Sequence, residues 1–309
     1  MPDINTSEDC LRTISIANVR IDPELAATVA AVADEGTLDA ASRRLRMTPS
    51  AVSQRLKTLE QQLGRILVVR SKPVRLTEAG ETVVRLARQM ALLERDAWSG
   101  LGLDEGETGR TRIPLAVNAD SMATWFLPPL ARLSAGHGLD FDLHRDDQNF
   151  TARLLESGTV MAAVTSESAP VTGCSVSPLG VLEYHAMAER GFCERWFAQG
   201  VTAQALVAAP FVDFDRRDTL QHDWLEAMGV SHQDVPRHYV PASADYALAV
   251  RLGLGWGMVP VLQQTEGLVP LGGPPLRVEL HWQQWNLRSP LLDTIAGEVA
   301  DEAMRVLSR

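Results

Sequence analysis

Apolar residues recur at helical intervals in three short stretches between positions 22 and 63. The first two stretches begin at the capping residues Asp22 and Thr37, and the third begins at Thr48-Pro49 and ends at Gly64. Their apolar faces are Leu25, Val29 and Val32, then Leu38, Ala41 and Leu45, and then Val52, Leu56, Leu59 and Leu63. The pattern predicts three helices, of which the second and third form a helix-turn-helix.

Two apolar runs and a long amphipathic stretch follow. Residues 66–70 and 74–77 flank a basic Ser71-Lys72-Pro73 turn, which predicts a β-hairpin, or wing. From Thr77, apolar residues are spaced alternately by three and four, as in a coiled-coil seam. The seam comprises Leu76, Ala79, Val83, Leu86, Met90, Leu93 and Ala97. It suits a helix from a second chain, while packing within one chain is the alternative.

Residues 99–111 are rich in glycine and acids and predict a linker, after which the pattern changes. Short apolar runs, typical of strands, alternate with helical stretches. Strands are expected at 113–117, 139–144, 160–164, 211–214, 239–240 and 278–285, and helices at 125–133, 150–156, 219–228, 246–252 and 290–307. This alternation predicts an α/β fold with a mostly parallel sheet.

The distribution of charge also differs between these two parts of the chain. Residues 36–95 hold 12 Lys and Arg against 5 Asp and Glu, although the whole chain has a net charge of −10. A basic segment in an acidic protein indicates a dedicated polyanion-binding module. No apolar run is long enough for a membrane span, and the three cysteines are too few for a disulfide framework or a zinc site. With an acidic N-terminus, these features predict a cytoplasmic protein.

The third helix presents a polar face opposite its apolar one. Ser50, Ser53, Gln54 and Lys57 suit a helix in the DNA major groove, because glutamine pairs with adenine and lysine reaches guanine or phosphate. Thr48 and Arg55 are placed for phosphates, and the wing residues Arg70, Lys72 and Arg75 for flanking phosphates or the minor groove. The alternative is a helical hairpin with a solvated face. Agreement of caps, apolar stripes and charge favours DNA binding.

Small molecules bind α/β sheets at the carboxyl ends of strands, and several predicted loops there carry suitable groups. Loops 118–124 and 242–245 offer hydroxyls for a carboxylate and acids for an amine. The candidate residues are Asp120, Ser121, Thr124, Ser243 and Asp245, with Thr165, Ser166 and Glu167 in a third loop and Asp146 and Asp147 after another strand. The combination suits a cationic amino acid. Each loop taken alone is better explained as a helix cap, so this prediction depends on the loops converging.

No pattern predicts catalysis, a metal site or a cofactor. The Gly253–Gly257 segment is not a GxGxxG motif and predicts a tight helix-to-strand turn. Cys174, His185 and Cys193 lack an evident orienting partner, and inert buried cysteine is commoner.

The segment PELAATVAAVADEGTLDAASRRLRMTPSAVSQRLKTLEQQLGRILVVRSKPVRLTEAG resembles the DNA-binding end of LysR-type transcriptional regulators. The stretches NADSMATWFLPPL, RLGLGWGMVP and LHWQQWNLRSPLLDTI extend the resemblance to the LysG/ArgP branch, over essentially everything after residue 20. The resemblance implies a winged helix-turn-helix, a dimerising linker helix, and a two-lobed effector domain like periplasmic binding proteins. It also implies tetramers and activation of a basic amino-acid exporter gene by L-lysine or L-arginine.

The resemblance assigns the base-reading role to Ser50, Ser53, Gln54 and Lys57, and effector contact to Ser121, with Asp120, Thr165 and Asp245 as further positions. The expected organisation is a tail (1–20), a DNA-binding domain (21–77), a linker helix and hinge (78–111) and an effector domain (112–309). Lobe I would hold 112–182 and 268–309, and lobe II 183–267. The alternatives are a regulator of another small molecule, or an α/β solute-binding protein whose basic end mediates assembly.

Overall fold

The computed structural model describes residues 20–103, 111–145, 148–233 and 235–309. The predicted tail up to residue 19, residues 104–110 of the predicted linker, and the Asp146-Asp147 pair lie outside the described residues. The chain divides into two compact units, Met1–Ala91 and Leu92–Arg309.

The first unit contains the three predicted helices and the wing. Its elements are α1 (Pro23–Glu35), α2 (Leu38–Arg44), α3 (Pro49–Leu63), β1 (Val68–Val69), β2 (Arg75–Leu76) and the beginning of α4 (Glu78–Gly100). The predicted caps are confirmed, because side-chain oxygens of Asp22, Thr37 and Thr48 accept hydrogen bonds from backbone N–H groups of the first turns. Gly64 ends α3 in the left-handed conformation, as expected.

The apolar faces of these helices meet in one core. Val29, Val52, Leu56 and Leu59 are at most 1% exposed. The wing packs on the same core, and the start of α4 lies against it. A Cβ on Gly80 would stand 2.1 Å from the carbonyl oxygen of Leu67, which leaves no room for a side chain.

The predicted seam of α4 is covered only in part. Val83 is buried in the core of the first unit, together with Val84 and Ala87. Further along the helix, Leu93 is 44% exposed and Ala97 is also exposed. The second half of the seam therefore remains open within the described part of the chain.

The second unit is α/β, as predicted. Its strands are β3 (Thr111–Val117), β4 (Leu139–Arg145), β5 (Ala162–Thr165), β6 (Cys174–Glu189), β7 (Phe211–Asp213), β8 (Arg237–Tyr239), β9 (Gly257–Pro260), β10 (Leu268–Pro270) and β11 (Leu276–Trp285). Its helices are α5 (Ala119–Thr124), α6 (Leu127–His137), α7 (Gln148–Glu156), α8 (Arg190–Trp196), α9 (Ala203–Ala208), α10 (Leu220–Ala227), α11 (Ser243–Arg251) and α12 (Pro290–Val306). A 3₁₀ turn covers Val261–Gln263.

The main sheet has the order β10-β6-β11-β5-β3-β4, with β9 also paired to β6. Only the pairings of β3 with β4 and of β3 with β5 are parallel. The prediction of a mostly parallel sheet is therefore wrong, because the long strands β6 and β11 run antiparallel to each other and to their other neighbours. Strands β7 and β8 form a separate parallel pair.

Strand β6 passes from one group of partners to another. Its first part pairs with the end of β11, beside β5, and its last part pairs with β9 and β10. The β6–β11 register shifts between Leu280 and His281, opposite Gly180. Residues Trp125, Trp224, Trp256 and Trp285 fill the core of this unit, each at most 2% exposed. No helix in the described ranges is both long and apolar enough to cross a membrane.

Candidate nucleic-acid interface and small-molecule site

The polar face of α3 is exposed, as a groove-reading helix requires. Ser50, Gln54 and Lys57 are exposed and Ser53 is half-buried. The helix faces outward because its opposite side supplies Val52, Leu56 and Leu59 to the core. Three of the four predicted base-reading side chains are therefore open to a ligand of the size of duplex DNA.

The wing lies beside this face. The guanidinium of Arg70 donates a hydrogen bond to the Ser53 hydroxyl at 3.4 Å, which brings one predicted wing residue and one predicted base-reading residue together. Lys72 and Arg75 are exposed. No acidic side chain in the described ranges forms an ion pair with Lys57, Lys72 or Arg75. The face thus carries positive charge that the fold itself leaves uncompensated.

Two other predicted phosphate contacts have partners within the protein. The Thr48 hydroxyl accepts from the backbone N–H of Ala51 at 3.2 Å and so caps α3, and it shares a second hydrogen bond with the Ser50 hydroxyl at 3.0 Å. Arg55 pairs with Glu24 of α1 at 2.9 Å, so its charge is partly neutralised. This ion pair uses one nitrogen of the guanidinium and leaves its other N–H groups available, so a phosphate contact by Arg55 stays a prediction.

Helix α5, which follows β3 where the sequence predicted a loop, holds the first group of predicted effector residues. The Asn118 side chain accepts from the backbone N–H of Ser121 at 2.7 Å and caps α5. Ser121 is completely buried, and its hydroxyl has no hydrogen-bond partner in the described structure. The Thr124 hydroxyl donates to the backbone carbonyl of Asp120 at 2.6 Å. The Thr124 hydroxyl therefore already has a hydrogen-bond acceptor within α5, whereas the Ser121 hydroxyl has no partner among the described residues.

Asp120 is held by a residue that sequence reasoning missed. The hydroxyl of Tyr184, in β6, donates to Oδ2 of Asp120 at 2.6 Å. Burial raises the pKa of Tyr184 well above its usual value, and the negative charge of Asp120 raises it further. Tyr184 therefore remains a neutral hydrogen-bond donor and fixes the carboxylate in position.

The second predicted loop lies next to the first. Helix α11, which begins at Ser243, packs against α5. Asp245 is exposed in the first turn of α11, and the adjacent Tyr246 is buried. The convergence of these two loops, on which the effector prediction depended, is thus observed.

Thr165 ends β5, which pairs in parallel with β3, so it lies at the same edge of the sheet as the segment that follows β3. It is buried at the end of β5, where its hydroxyl accepts from the backbone N–H of Glu167 at 3.1 Å. It lines a cavity of about 300 Å³ with Thr151, Glu167 and Gln283, among others. Glu167, a candidate of the same predicted loop, also lines this cavity, whereas the candidates of loops 118–124 and 242–245 do not.

Two further acids, which were not predicted, lie near Asp120. Burial raises the pKa of Asp213 to about 6 despite the opposing charges of Arg237 and His232. Burial likewise raises the pKa of Asp218 to about 6, and the charges of Asp213 and Asp120 add to this effect. Asp218 follows a strand and precedes a helix, the same signal that identified Asp120, so the sequence contained a clue to it.

The two unpredicted acids differ in their partners. Oδ2 of Asp213 lies 3.1 Å from Nε2 of His222 and 3.7 Å from Nη1 of Arg237. Oδ1 of Asp218 accepts from the backbone N–H of Leu220 at 3.1 Å, and no basic side chain in the described residues pairs with Asp218. The described site therefore contains carboxylates whose charge is not balanced.

The residues considered for catalysis have the following surroundings. Burial raises the pKa of the Cys193 thiol, which favours the unreactive protonated form. His185 pairs with Glu183 at 2.8 Å. Gly253 has a φ of +76° in the turn between α11 and β9, as expected for a helix-to-strand connection. Among the described residues, no group of three or more His, Cys, Asp or Glu side chains could hold a metal ion.

A basic winged helix-turn-helix followed by an α/β unit that carries a candidate small-molecule site defines a class: transcription regulators that combine DNA binding and ligand sensing in one chain. Residues 24–81 match the bacterial regulatory helix-turn-helix protein model of the lysR family, and residues 106–303 match the LysR substrate-binding domain. The chain belongs to the LysR family of transcriptional regulators.

Relatives within the family are similar over nearly the whole chain. The HTH-type transcriptional regulator LysG of Mycobacterium tuberculosis is 44% identical over 282 residues, which cover 90% of this chain and 91% of the relative. The lysine export transcriptional regulatory protein LysG of Corynebacterium glutamicum is 35% identical over 288 residues, which cover 91% of this chain and 97% of the relative.

Solved structures show the same fold. ArgP from Mycobacterium tuberculosis superimposes with a TM-score of 0.81 at 43% identity, over 94% of this chain and 99% of that chain. Full-length LysG from Corynebacterium glutamicum with bound effector Arg superimposes with a TM-score of 0.72 at 33% identity, over 94% of this chain and all of that chain.

Proposed function

We propose that this protein is a cytoplasmic, non-catalytic regulator that responds to L-lysine or L-arginine and activates a gene for basic amino-acid export. Two observations on similar proteins support this: the Corynebacterium relative is a lysine export regulator, and one LysG structure contains arginine. The observation in this chain that carries the proposal is the Asp120 carboxylate. It is fixed by Tyr184 at 2.6 Å and has no basic partner among the described residues.

DNA recognition in this proposal uses the exposed face of α3. Gln54 and Lys57 read base edges with Ser50 and Ser53, while Thr48 and the wing residues contact the sugar–phosphate backbone. The open half of the α4 seam pairs with a second chain, so that two modules read a two-part operator, and two dimers form a tetramer. The domain limits proposed from the sequence, 21–77, 78–111 and 112–309, are retained, with the lobe division at 182–183 and 267–268.

Effector recognition uses the loops that follow β3 and precede α11. Asp120 receives a cationic group, while Ser121 and Thr124 provide hydroxyls, and Asp245 and Thr165 contribute at the margins of the site. The amino acid acts by binding one conformation of the regulator more tightly than another. A ligand with equal affinity for both conformations would change nothing.

The proposal is tested by substitution of Asp120 in the full-length protein. Asp120→Ala should weaken the response of promoter binding to L-lysine and L-arginine at least tenfold, because an ion-paired hydrogen bond is worth about 1.5–3 kcal/mol. Affinity for promoter DNA without effector should remain within about twofold. Asp301→Ala, which removes an exposed acid of α12, is the matched control.

Fluorescence anisotropy on a labelled promoter duplex, measured across effector concentrations, provides the readout. If wild-type binding and transcription are unaffected by either amino acid, the effector assignment is wrong. If the protein does not distinguish promoter from scrambled duplex, the regulator assignment itself is wrong.

A further inference from the structure

Asp218 is a half-buried carboxylate with no ion-pair partner among the described residues. It lies between β7 and α10 and accepts a backbone hydrogen bond from Leu220 at 3.1 Å. Its neighbour Asp213 is the useful contrast, because His222 and Arg237 approach that carboxylate to 3.1 and 3.7 Å. A charge removed from water is strongly destabilising unless it is paired. Asp218 is therefore, like Asp120 and unlike Asp213, an acid with no ion-pair partner within the described residues.

Buried polar atoms near the two acids also lack partners. The Gln221 side chain is 1% exposed, and its carbonyl oxygen has no hydrogen-bond donor in the described structure. Its amide nitrogen donates to the hydroxyl of Tyr246, which lies in the electrostatic field of Asp218. Beside Asp120, the buried Ser121 hydroxyl is likewise unpartnered. Because native proteins satisfy almost all such atoms, both indicate a site that a ligand completes.

The chemistry of these free atoms differs between the two ends of the site. Gln221 offers an acceptor beside Asp218, and this pair suits a group with several N–H donors, such as an ammonium or a guanidinium. Ser121 offers a hydroxyl that can donate beside Asp120, and this pair suits adjacent carboxylate and ammonium groups. Ser121 and Asp120 therefore match the main-chain end of an amino acid. Gln221 and Asp218 match a cationic side chain.

We infer that Asp218 is the specificity-determining carboxylate of the effector site and receives the side-chain cation of the amino acid, while Asp120 receives its α-ammonium group. This inference rests on the proposed function. It explains why the site holds two unbalanced acids on separate segments, the start of α5 and the β7–α10 loop. A zwitterion without a side-chain cation would neutralise only one of them.

A pH dependence follows from this arrangement. The charged and titratable groups around Asp218 are Asp213 of β7, Asp120 of α5, Tyr184 of β6, Tyr246 of α11 and His222 of α10, and burial lowers the pKa of that histidine. Without effector, the pKa of Asp218 is about 6, mainly because of burial. A bound cation favours the ionised carboxylate, so binding near pH 6 releases protons. Affinity should therefore fall by up to about tenfold for each pH unit below 6.

Isothermal titration calorimetry on the full-length protein tests the assignment with two ligands. L-Lysine and L-norleucine share the main chain and the aliphatic stem, but norleucine lacks the ε-ammonium group. Wild-type protein should bind lysine far more tightly than norleucine. Asp218→Asn keeps the acceptor for the backbone of Leu220 and should weaken lysine binding about 10- to 100-fold while changing norleucine binding little.

Glu226→Gln is the control, because it removes an exposed acid from α10. The inference is overturned if Asp218→Asn retains the wild-type preference for lysine over norleucine. If Asp218→Asn does not fold, the pH dependence of lysine binding to the wild-type protein tests the assignment instead.

Lysine affinity that stays constant between pH 7.5 and 5.0, with no proton release in buffers of different ionisation enthalpy, contradicts the assignment. Failure of the wild type to bind lysine or arginine contradicts the proposed function itself. Binding of lysine by the wild type without a preference over norleucine contradicts only the assignment of Asp218.

Discussion

At the scale of single residues, burial of Asp218 makes its ionised carboxylate a cost to the stability of the second unit. Asp218 has a native pKa of about 6, whereas an unfolded aspartate titrates near about 3.9. Between these two values the native state binds more protons than the unfolded state. Stability contributed by this residue is therefore lost as pH rises from about 4 to 6, and the cost is complete above that range.

Asp218→Asn should accordingly be more stable than wild type at pH 7.5 in the absence of effector, by at most about 3 kcal/mol. The difference should shrink as the pH falls toward 4. Urea denaturation followed by tryptophan fluorescence measures this stability difference in the second unit, because all seven tryptophans lie at or beyond residue 98. Equal stabilities at pH 7.5, or a gap that widens on acidification, would show that Asp218 is not an unbalanced charge.

The predicted base-reading and phosphate residues should respond differently to truncation. Gln54→Ala should reduce affinity for the cognate duplex by about 1–3 kcal/mol and leave random DNA unaffected. Arg70→Ala should weaken both duplexes similarly and reduce the salt slope by about 0.9. Gln62→Ala, also exposed on α3, is the control. Equal losses on both duplexes for Gln54→Ala would contradict base reading by this residue.

At the scale of elements, the contact between α4 and the wing leaves no room for a methyl group. Gly80→Ala places a Cβ 2.1 Å from the Leu67 carbonyl oxygen and should destabilise the first unit by about 1–3 kcal/mol or more. Gly100→Ala makes the same change in the same helix, where nothing lies within 4 Å, and should be neutral or slightly stabilising. Hydrogen exchange over residues 20–91 distinguishes them. Unchanged protection in Gly80→Ala would contradict the close packing.

The open half of the α4 seam should support self-association. Leu93→Glu introduces charge where Leu93 is 44% exposed in one chain and should raise the dimer dissociation constant at least tenfold. Glu94→Gln changes an exposed residue of the same helix and should leave the dimer dissociation constant unchanged. Sedimentation velocity over a range of protein concentrations measures these constants. Identical oligomers for all three proteins would place the dimer interface elsewhere.

Elements with strong local signals were predictable from the sequence. Helices α1, α2 and α3 have a capping side chain, a regular apolar face and, in two cases, a glycine stop, and each signal depends on neighbouring residues alone. Strand β6 was missed because Pro178 and Gly180 interrupt its alternation. Its partner β11 lies about 100 residues further along the chain, so only tertiary pairing reveals it. The wrong prediction of a mostly parallel sheet followed from that omission.

At the scale of the whole molecule, the site was predictable only in part. Asp120 and Ser121 were found because strand-to-helix loops place polar groups at strand ends, and the convergence of loops 118–124 and 242–245 is observed. Tyr184 was missed because it lies within a strand that was not predicted. The imbalance around Asp218 depends on burial and on the absence of nearby cations in the described fold, and neither can be derived from sequence spacing.

The most direct test of the account is the affinity of the full-length protein for a promoter duplex against a scrambled duplex, measured with and without L-arginine across salt concentrations. The account predicts a clear preference for the promoter, a steep decline in affinity with salt, and a change with arginine that Asp120→Ala loses. Equal binding to both duplexes, or a promoter complex that arginine leaves unchanged, would contradict it.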